Sequence, residues 1–258
     1  MSLLAIQYRL VPESPILVAA NREEYLDRRS TSPSILSGKP RILCPTDSRS
    51  GGTWFGVNQH GMFVGICNRR MLEPVSGNRS RGLLCKEVLR CSSARKGLEK
   101  AREELSKFVF DGFNLVIADR DCGYILQHGM VDDVSELEPG LNIIGMHKPN
   151  DLDDERVQMA KRLLTLQMLD SPVKFLAVAS RVFSRTPSLP GRPSMVIRHD
   201  GFGTVSSTLL ALGPKPRDAI LQFADGSPDQ ARYEDYSPLL RDILSRGLRE
   251  SRGKVASA

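Results

Sequence analysis

Leu3-Leu4-Ala5-Ile6-Gln7-Tyr8-Arg9 and Ile16-Leu17-Val18-Ala19-Ala20 are two apolar runs of strand length, parted by the breaker Pro12-Glu13-Ser14-Pro15. Short apolar runs bounded by turn residues predict two successive strands. The next residues, Asn21-Arg22-Glu23-Glu24, are abruptly polar. They place a guanidinium and two carboxylates at a sheet end. The whole polar segment from Asn21 to Pro40 reads as a long loop.

Further strands are predicted over Trp54–Asn58 and Met62–Cys67, joined at Gln59-His60-Gly61 as a hairpin. Ser80 stands where a helix cap would, ahead of Leu83, Leu84, Val88 and Leu89 at helical spacing. A second helix covers Ala94–Phe108. Phe113–Asp119 and Tyr124–His128 form a hairpin, and Leu141–Met146 is a strand. Asp151 is placed to cap a helix reaching Met168, and Pro172 suits the first turn of another ending near Phe183. Thr186–Pro193 is a loop. Strands follow over Ser194–Arg198, Thr204–Leu212 and Ala219–Phe223, then a helix over Asp235–Leu248 and a tail from Glu250 expected to fray. Strands come in hairpins and helices in pairs. That predicts an α+β architecture of antiparallel sheets with segregated helices, not a doubly wound parallel sheet. No linker-like stretch divides residues 1–258, which read as one domain.

Composition narrows the class. The chain has 258 residues, 40% hydrophobic and 26% charged, which supports a packed core and excludes disorder as the main state. No run approaches the roughly 20 apolar residues of a bilayer-spanning helix, and no targeting signal is read, so the expected location is cytoplasmic. The net charge of +6 is basic. Its Arg and Lys are mixed with acids and follow no nucleic-acid motif, so no nucleic-acid partner is expected. Five scattered cysteines without a Cys-x-x-Cys and four isolated histidines predict reduced thiols and no metal site. No phosphate- or dinucleotide-binding fingerprint is found, so no cofactor is predicted.

Several short motifs bear chemistry. Ser2 follows the initiator Met and precedes the first strand. Removal of Met1 would expose an α-amine with a pKa of about 7.7–8.0. Such an amine can take the proton of its own hydroxyl while that hydroxyl attacks a carbonyl. Arg22 beside an α-amine disfavours its protonated form, and a neighbouring carboxylate orients the guanidinium. In Gly51-Gly52-Thr53-Trp54, paired glycines let a backbone approach a ligand closely, and the single Trp can wall a pocket. Asn68, ahead of Arg69 and Arg70, ends a strand with an amide suited to an oxyanion. Ser80-Arg81-Gly82 is either a plain helix cap or an anion-facing helix start. Ser206-Ser207-Thr208 sets three hydroxyls inside an apolar strand. Each motif also has a purely structural reading, as a charged turn, a core aromatic, a strand end or a local hydrogen bond.

In order, Leu17 to Tyr25, Gly51-Gly52-Thr53-Trp54-Phe55-Gly56-Val57-Asn58, the Asn68 segment, Ser80-Arg81-Gly82, Gly112-Phe113-Asn114-Leu115 and Ser206-Ser207-Thr208 resemble the NRDE-motif family, the Transport and Golgi Organisation protein 2 family. The resemblance spans the chain from Leu3 to the last strand. It implies an N-terminal nucleophile hydrolase-like fold, a four-layer αββα sandwich of antiparallel sheets. By analogy with choloylglycine-type amidases it implies a nucleophile at residue 2, Arg22 and Glu23 flanking it, and Asn68 as the oxyanion donor. Two positions depart from the family pattern. Family members begin Met-Cys, whereas Ser2 stands here, and a hydroxyl is harder to ionise than a thiol. Glu23 stands where the family has Asp, and the extra methylene alters the reach of the carboxylate.

Two functional readings follow. The first is an amidohydrolase acting on the C–N bond of a linear, non-peptide amide or related acyl compound. Ser2, Arg22, Glu23 and Asn68 are its catalytic set, and Asn21, Gly51, Gly52, Thr53, Trp54, Arg70, Ser80 and Arg81 its ligand-binding residues. The second is a non-enzymatic carrier or chaperone for lipid, acyl-CoA or haem, with His60 or His147 as the axial-ligand candidates for haem. Both expect a small acyl or anionic ligand held in a local basic pocket.

Overall fold

The first two apolar runs lie side by side at the centre of a sheet. In the computed structural model, which describes residues 3–71, 77–187 and 192–255, β1 (Leu3–Val11) and β2 (Ser14–Tyr25) are antiparallel, with Leu3 opposite Asn21 and Ile6 opposite Val18. The strands lack a polar face because both of their faces are buried. Leu3, Ala5, Leu17 and Ala19 point to a helical layer, while Leu4, Ile6, Ile16 and Val18 point to a second sheet. This period-2 division is what a pleated strand imposes.

The first sheet has the order β10 (Gly140–Ile144), β1, β2, β12 (Phe202–Leu212), β13 (Ile220–Asp225) and β14 (Glu234–Asp235), with β11 (Arg198–His199) added on β12. The second is a meander of β3 (Ser30–Leu36), β4 (Ile42–Asp47), β5 (Phe55–Asn58), β6 (Phe63–Asn68), β7 (Phe113–Ala118), β8 (Gly123–His128) and β9 (Asp133–Glu136). All described pairings are antiparallel. Helices α1 (Arg81–Leu89) and α2 (Ala94–Lys107) cover the second sheet through Leu84, Val88 and Leu98. Helices α3 (Glu155–Thr165) and α4 (Pro172–Phe183) cover the first through Val157, Ala160, Phe175 and Ala179. The result is the expected α+β, four-layer αββα sandwich. Helix α5 (Ser237–Val255) packs on β13 and reaches the edge of the second sheet at β3, β4 and β5.

Several boundaries differ from the sequence expectation. Asn21–Pro40 is not one loop. β2 runs on to Tyr25 because β12 pairs with it as far as Phe202 opposite Tyr25, and β3 occupies Ser30–Leu36. Tertiary pairing overrides the local polarity there. β4 and β9 also carry no apolar alternation strong enough to announce them. Of Ser194–Arg198 only Arg198 pairs as a strand. The α3 cap is Asp154, whose carboxylate accepts from the Arg156 and Val157 N–H groups, not Asp151. The helix ends at Thr165 rather than Met168. Helix α5 runs on from the expected end at Leu248 to Val255, and the Glu250 carboxylate holds Arg41 and Gln59 at 2.7 Å each. Among the described residues no helix is long and apolar enough to cross a membrane.

The two sheets touch through aromatic side chains. Phe55 of β5 stacks on Phe223 of β13 with ring centroids 6.3 Å apart, and both are fully buried. Phe223→Ala is expected to lower the unfolding free energy by about 3–5 kcal/mol, the cost of truncating a buried Phe, measured as a shift of the urea midpoint.

Candidate functional site

The alternation that sorts the apolar residues of β2 continues through its polar end and sorts those residues too. Asn21 and Glu23 face the helical layer. Arg22 and Glu24 face a cleft of about 390 Å³ that opens at this end of the sandwich. Asn21 is fully buried and donates to the carbonyls of Phe183 and Met195, both at 2.9 Å. Glu23, 2% exposed, accepts from Arg156 Nη2 at 2.9 Å, while its other oxygen has no hydrogen-bond partner. Glu23 and Arg22 thus point to opposite faces of β2, and the Glu23 carboxylate is not the one that orients the Arg22 guanidinium. A one-residue step along a strand reverses the face, so adjacent residues cannot share a cleft. Asn21 is likewise a structural anchor outside the cleft.

Arg22, 4% exposed, is held by four contacts, one of them a donation from Nη1 to the Ser30 hydroxyl at 3.5 Å. Its Nη2 donates to Asp47 Oδ2 at 3.0 Å, Glu24 lies 3.9 Å away, and the guanidinium carbon sits 4.1 Å over the Trp54 ring. Burial lowers its pKa, opposed by the charges of Glu24 and Asp47. Asp47 is the hub. It also accepts from Arg28 Nε at 2.8 Å and, through its other oxygen, from the Ser50 N–H and hydroxyl at 2.9 Å. Burial pushes its carboxyl up, but the hydrogen bonds from Arg28 and Ser50 outweigh that and hold it below the usual carboxylate range.

The remaining cleft wall comes from β6 and the start of α1. Thr53, Trp54, Asn68, Ser80 and Arg81 line the cleft, as sequence reasoning placed them. Ser80 caps α1 by accepting from the Gly82 N–H at 3.2 Å. Arg81 donates to the Gly112 carbonyl at 3.0 Å, and burial lowers its pKa. Gly51 and Gly52 are not among the residues lining the cleft. Gly51 has φ +69°, and its carbonyl accepts from Lys86 Nζ at 3.0 Å. A Cβ on Gly52 would lie 2.3 Å from the Gly82 carbonyl carbon, so the paired glycines let this turn dock on α1. Arg70 is exposed and its backbone N–H bonds Met146, away from the cleft. Ser2 lies outside the described residues.

Sequence reasoning missed Asp47, Arg28, Arg49, Arg79 and Asp111, which also line the cleft. Asp47-Ser48-Arg49-Ser50 does carry a signal, an Asp followed three residues later by Ser ahead of paired glycines, the composition of a side-chain-closed turn. Ser206 stands across the ladder from Arg22, buried, with an unpartnered hydroxyl. None of the five cysteines is a ready nucleophile. All are free with raised pKa values, and burial pushes Cys67 to about 12 and Cys44 to about 11, where the reactive thiolate is scarce.

A family model described as Transport and Golgi organisation 2 matches residues 1–216. The chain belongs to that family. No curated protein sequence matches it. Among solved structures, it is similar to the Caenorhabditis elegans ortholog of N-acylethanolamine-hydrolyzing acid amidase, with a TM-score of 0.52 at 13% identity over 81% of this chain and 92% of that one. A variant of the conjugated bile acid hydrolase from Clostridium perfringens gives a TM-score of 0.49 at 10% identity, over 92% and 93% of the two chains. The sandwich is thus N-terminal nucleophile hydrolase-like. In this Transport and Golgi organisation 2 member the first motif carboxylate, Glu23, ties β2 to α3, and the carboxylate that hydrogen-bonds Arg22 comes from β4.

Asp47→Asn leaves two guanidinium groups, one of them buried, without their shared carboxylate. It is expected to cost about 3–5 kcal/mol at neutral pH, as breaking a buried pair does, measured by urea unfolding. A carboxyl held low in the folded state stabilises above its unfolded pKa, and that contribution fades as pH falls through the folded value. The gap between the parent protein and Asp47→Asn therefore narrows at pH below about 3.9.

Proposed function

We propose that this chain is an N-terminal nucleophile hydrolase cleaving a linear, non-peptide acyl amide that carries an anionic group, with mature Ser2 as the nucleophile. The observation that carries the reading is the buried Arg22, fixed by Asp47 and Trp54 at the cleft, one ladder step beyond the Leu3–Asn21 pair. The reading requires the Ser2 amine to reach that guanidinium. A cation there disfavours the ammonium and keeps the amine a base.

The reaction follows from these roles. The Ser2 hydroxyl oxygen attacks the amide carbonyl as its proton passes to the Ser2 amine. The Asn68 amide donates to the oxygen that gains charge. The C–N bond then breaks, the Ser2 ammonium returns the proton to the leaving amine, and water cleaves the acyl ester. Arg22 and Asp47 order the site without bonding to the substrate carbon. The cleft arginines Arg22, Arg28, Arg49, Arg79 and Arg81 outnumber its carboxylates Glu24, Asp47 and Asp111, though Arg79 also pairs with Glu104 outside the lining. The first turn of α1 holds no acid. Both features favour an anionic substituent. A volume of about 390 Å³ suits a small linear molecule. The carrier reading has less support for haem, since neither His60 nor His147 lines the cleft.

Intact-mass measurement is expected to show loss of Met1 and, after treatment with a fluorophosphonate, one covalent adduct that Ser2→Ala abolishes. Against a panel of N-acyl amides bearing a carboxylate, Ser2→Ala is expected to lower turnover at least about a thousandfold. Turnover should rise with pH and level off below about 8, as a cation-depressed α-amine loses its proton. Quantitative retention of Met1 in the native protein would overturn the reading.

A further inference from the structure

On the outer side of the first sheet, α3, Leu152 ahead of it and the described residues Arg185, Pro187, Arg192 and Pro193 line a groove far larger than the cleft, about 960 Å³. Lys161, Arg162, Arg185 and Arg192 line it together with Leu152 and Met159. A smaller hollow beside it shares Leu163 and Arg185 and adds Arg181. None of these five cations has a carboxylate partner among the described residues. Glu155 is the one acid among the groove's described lining residues.

The same layer presents apolar side chains to solvent. Leu152 is 63% exposed, and Leu166 and Met168 in the α3–α4 connection are 67% and 80% exposed. Val173, in the first turn of α4, is 69% exposed. A soluble surface has no need to interleave bare leucine and methionine with unpaired arginine.

We infer that the α3–α4 face docks on an anionic lipid bilayer surface. Cations gain from lipid headgroup charge at the membrane surface, and apolar side chains beside them gain by entering the headgroup–acyl boundary. Nucleic acid would use the cations but not the exposed Leu, Met and Val. It also favours aromatic stacking platforms, whereas the aromatics of α4, Phe175 and Phe183, are fully buried against the first sheet. The face lies outside the cleft and does not depend on its chemistry.

The test is sedimentation of the full chain with vesicles of phosphatidylcholine alone and of phosphatidylcholine mixed with phosphatidylserine. Binding is expected to the mixed vesicles only, and to weaken at molar salt, where charges are screened beyond about 3 Å. At roughly fivefold per cation near the surface, Arg162→Glu combined with Arg185→Glu should lower binding more than about tenfold. Leu166→Ser with Met168→Ser should weaken it at every salt concentration. These are surface positions, and unchanged circular dichroism and urea midpoints establish that the variants fold. No binding to mixed vesicles, or binding that the Arg162→Glu and Arg185→Glu pair leaves intact, overturns the inference. So does equally tight binding to a DNA duplex that the same pair abolishes.

Discussion

One ion pair holds the open end of the sandwich together. Arg22 leaves the first sheet on β2 and meets Asp47 at the end of β4 in the second, at 3.0 Å. A buried guanidinium is tolerated only when its charge and donors are satisfied, so this contact fixes the spacing of the sheets where they part. Asp47 also closes the next turn with its own backbone: its N–H donates to Gly52 and its carbonyl accepts from Gly51, both at 2.8 Å. That turn brings Trp54 under the guanidinium and sets Gly52 against the start of α1. Trp54, the α1 cap and Arg81 therefore all take their places from the turn that Asp47 closes.

β2 divides its polar end between two jobs. On one face Arg22 and Glu24 build the cleft. On the other, Glu23 reaches Arg156 at the start of α3, and Asn21 binds the carbonyls that end α4 and precede β11. The strand is thus clamped to its helical layer by the residues that alternate with the cleft residues. Displacing either clamp would tilt Arg22, because both sets hang from one backbone. Four consecutive polar residues in a buried strand are explained by two surfaces that each need polar contacts, and not by one large constellation.

Much of this was legible in the residues, and the failures have a common cause. The apolar runs marked β1, β2, β5, β6, β7, β8, β12 and β13, because strands buried on both faces must be apolar throughout. The helix pairs showed through their spacing, with Ser80 legible as the α1 cap and the α3 cap lying at Asp154 rather than Asp151. The polar end of β2, and β3 and β4, did not show, since their strand character comes from partners distant in sequence. For the cleft, Arg22, Trp54, Asn68, Ser80 and Arg81 were legible from the motifs. Asp47 was not, because its role is set by proximity to Arg22 across 25 residues of chain. The partner of Glu23, Arg156, was not legible either, because the pleat sends Glu23 to the face opposite Arg22 and its partner lies 133 residues on.

The charge of +6 divides into populations with different energetics. Cations on the α3–α4 face are mostly exposed and remain solvated, so their lack of carboxylate partners costs the fold little. The cleft arginines are different. Arg22 and Arg81 are largely desolvated, and the nearby charge of Arg28 disfavours the protonated form of each. Arg81 also stands in the first turn of α1, the end of a helix that repels a cation. Burial, like-charge proximity and the helix start all act against the same groups. The opposing charges are Glu24 and Asp47 at Arg22, and Asp111 and Glu24 at Arg81. An anion entering the cleft would relieve the remainder, and whatever binds the folded state alone stabilises it by mass action. The cleft is consequently a place where the fold carries local electrostatic cost, and an anion bound there would offset it.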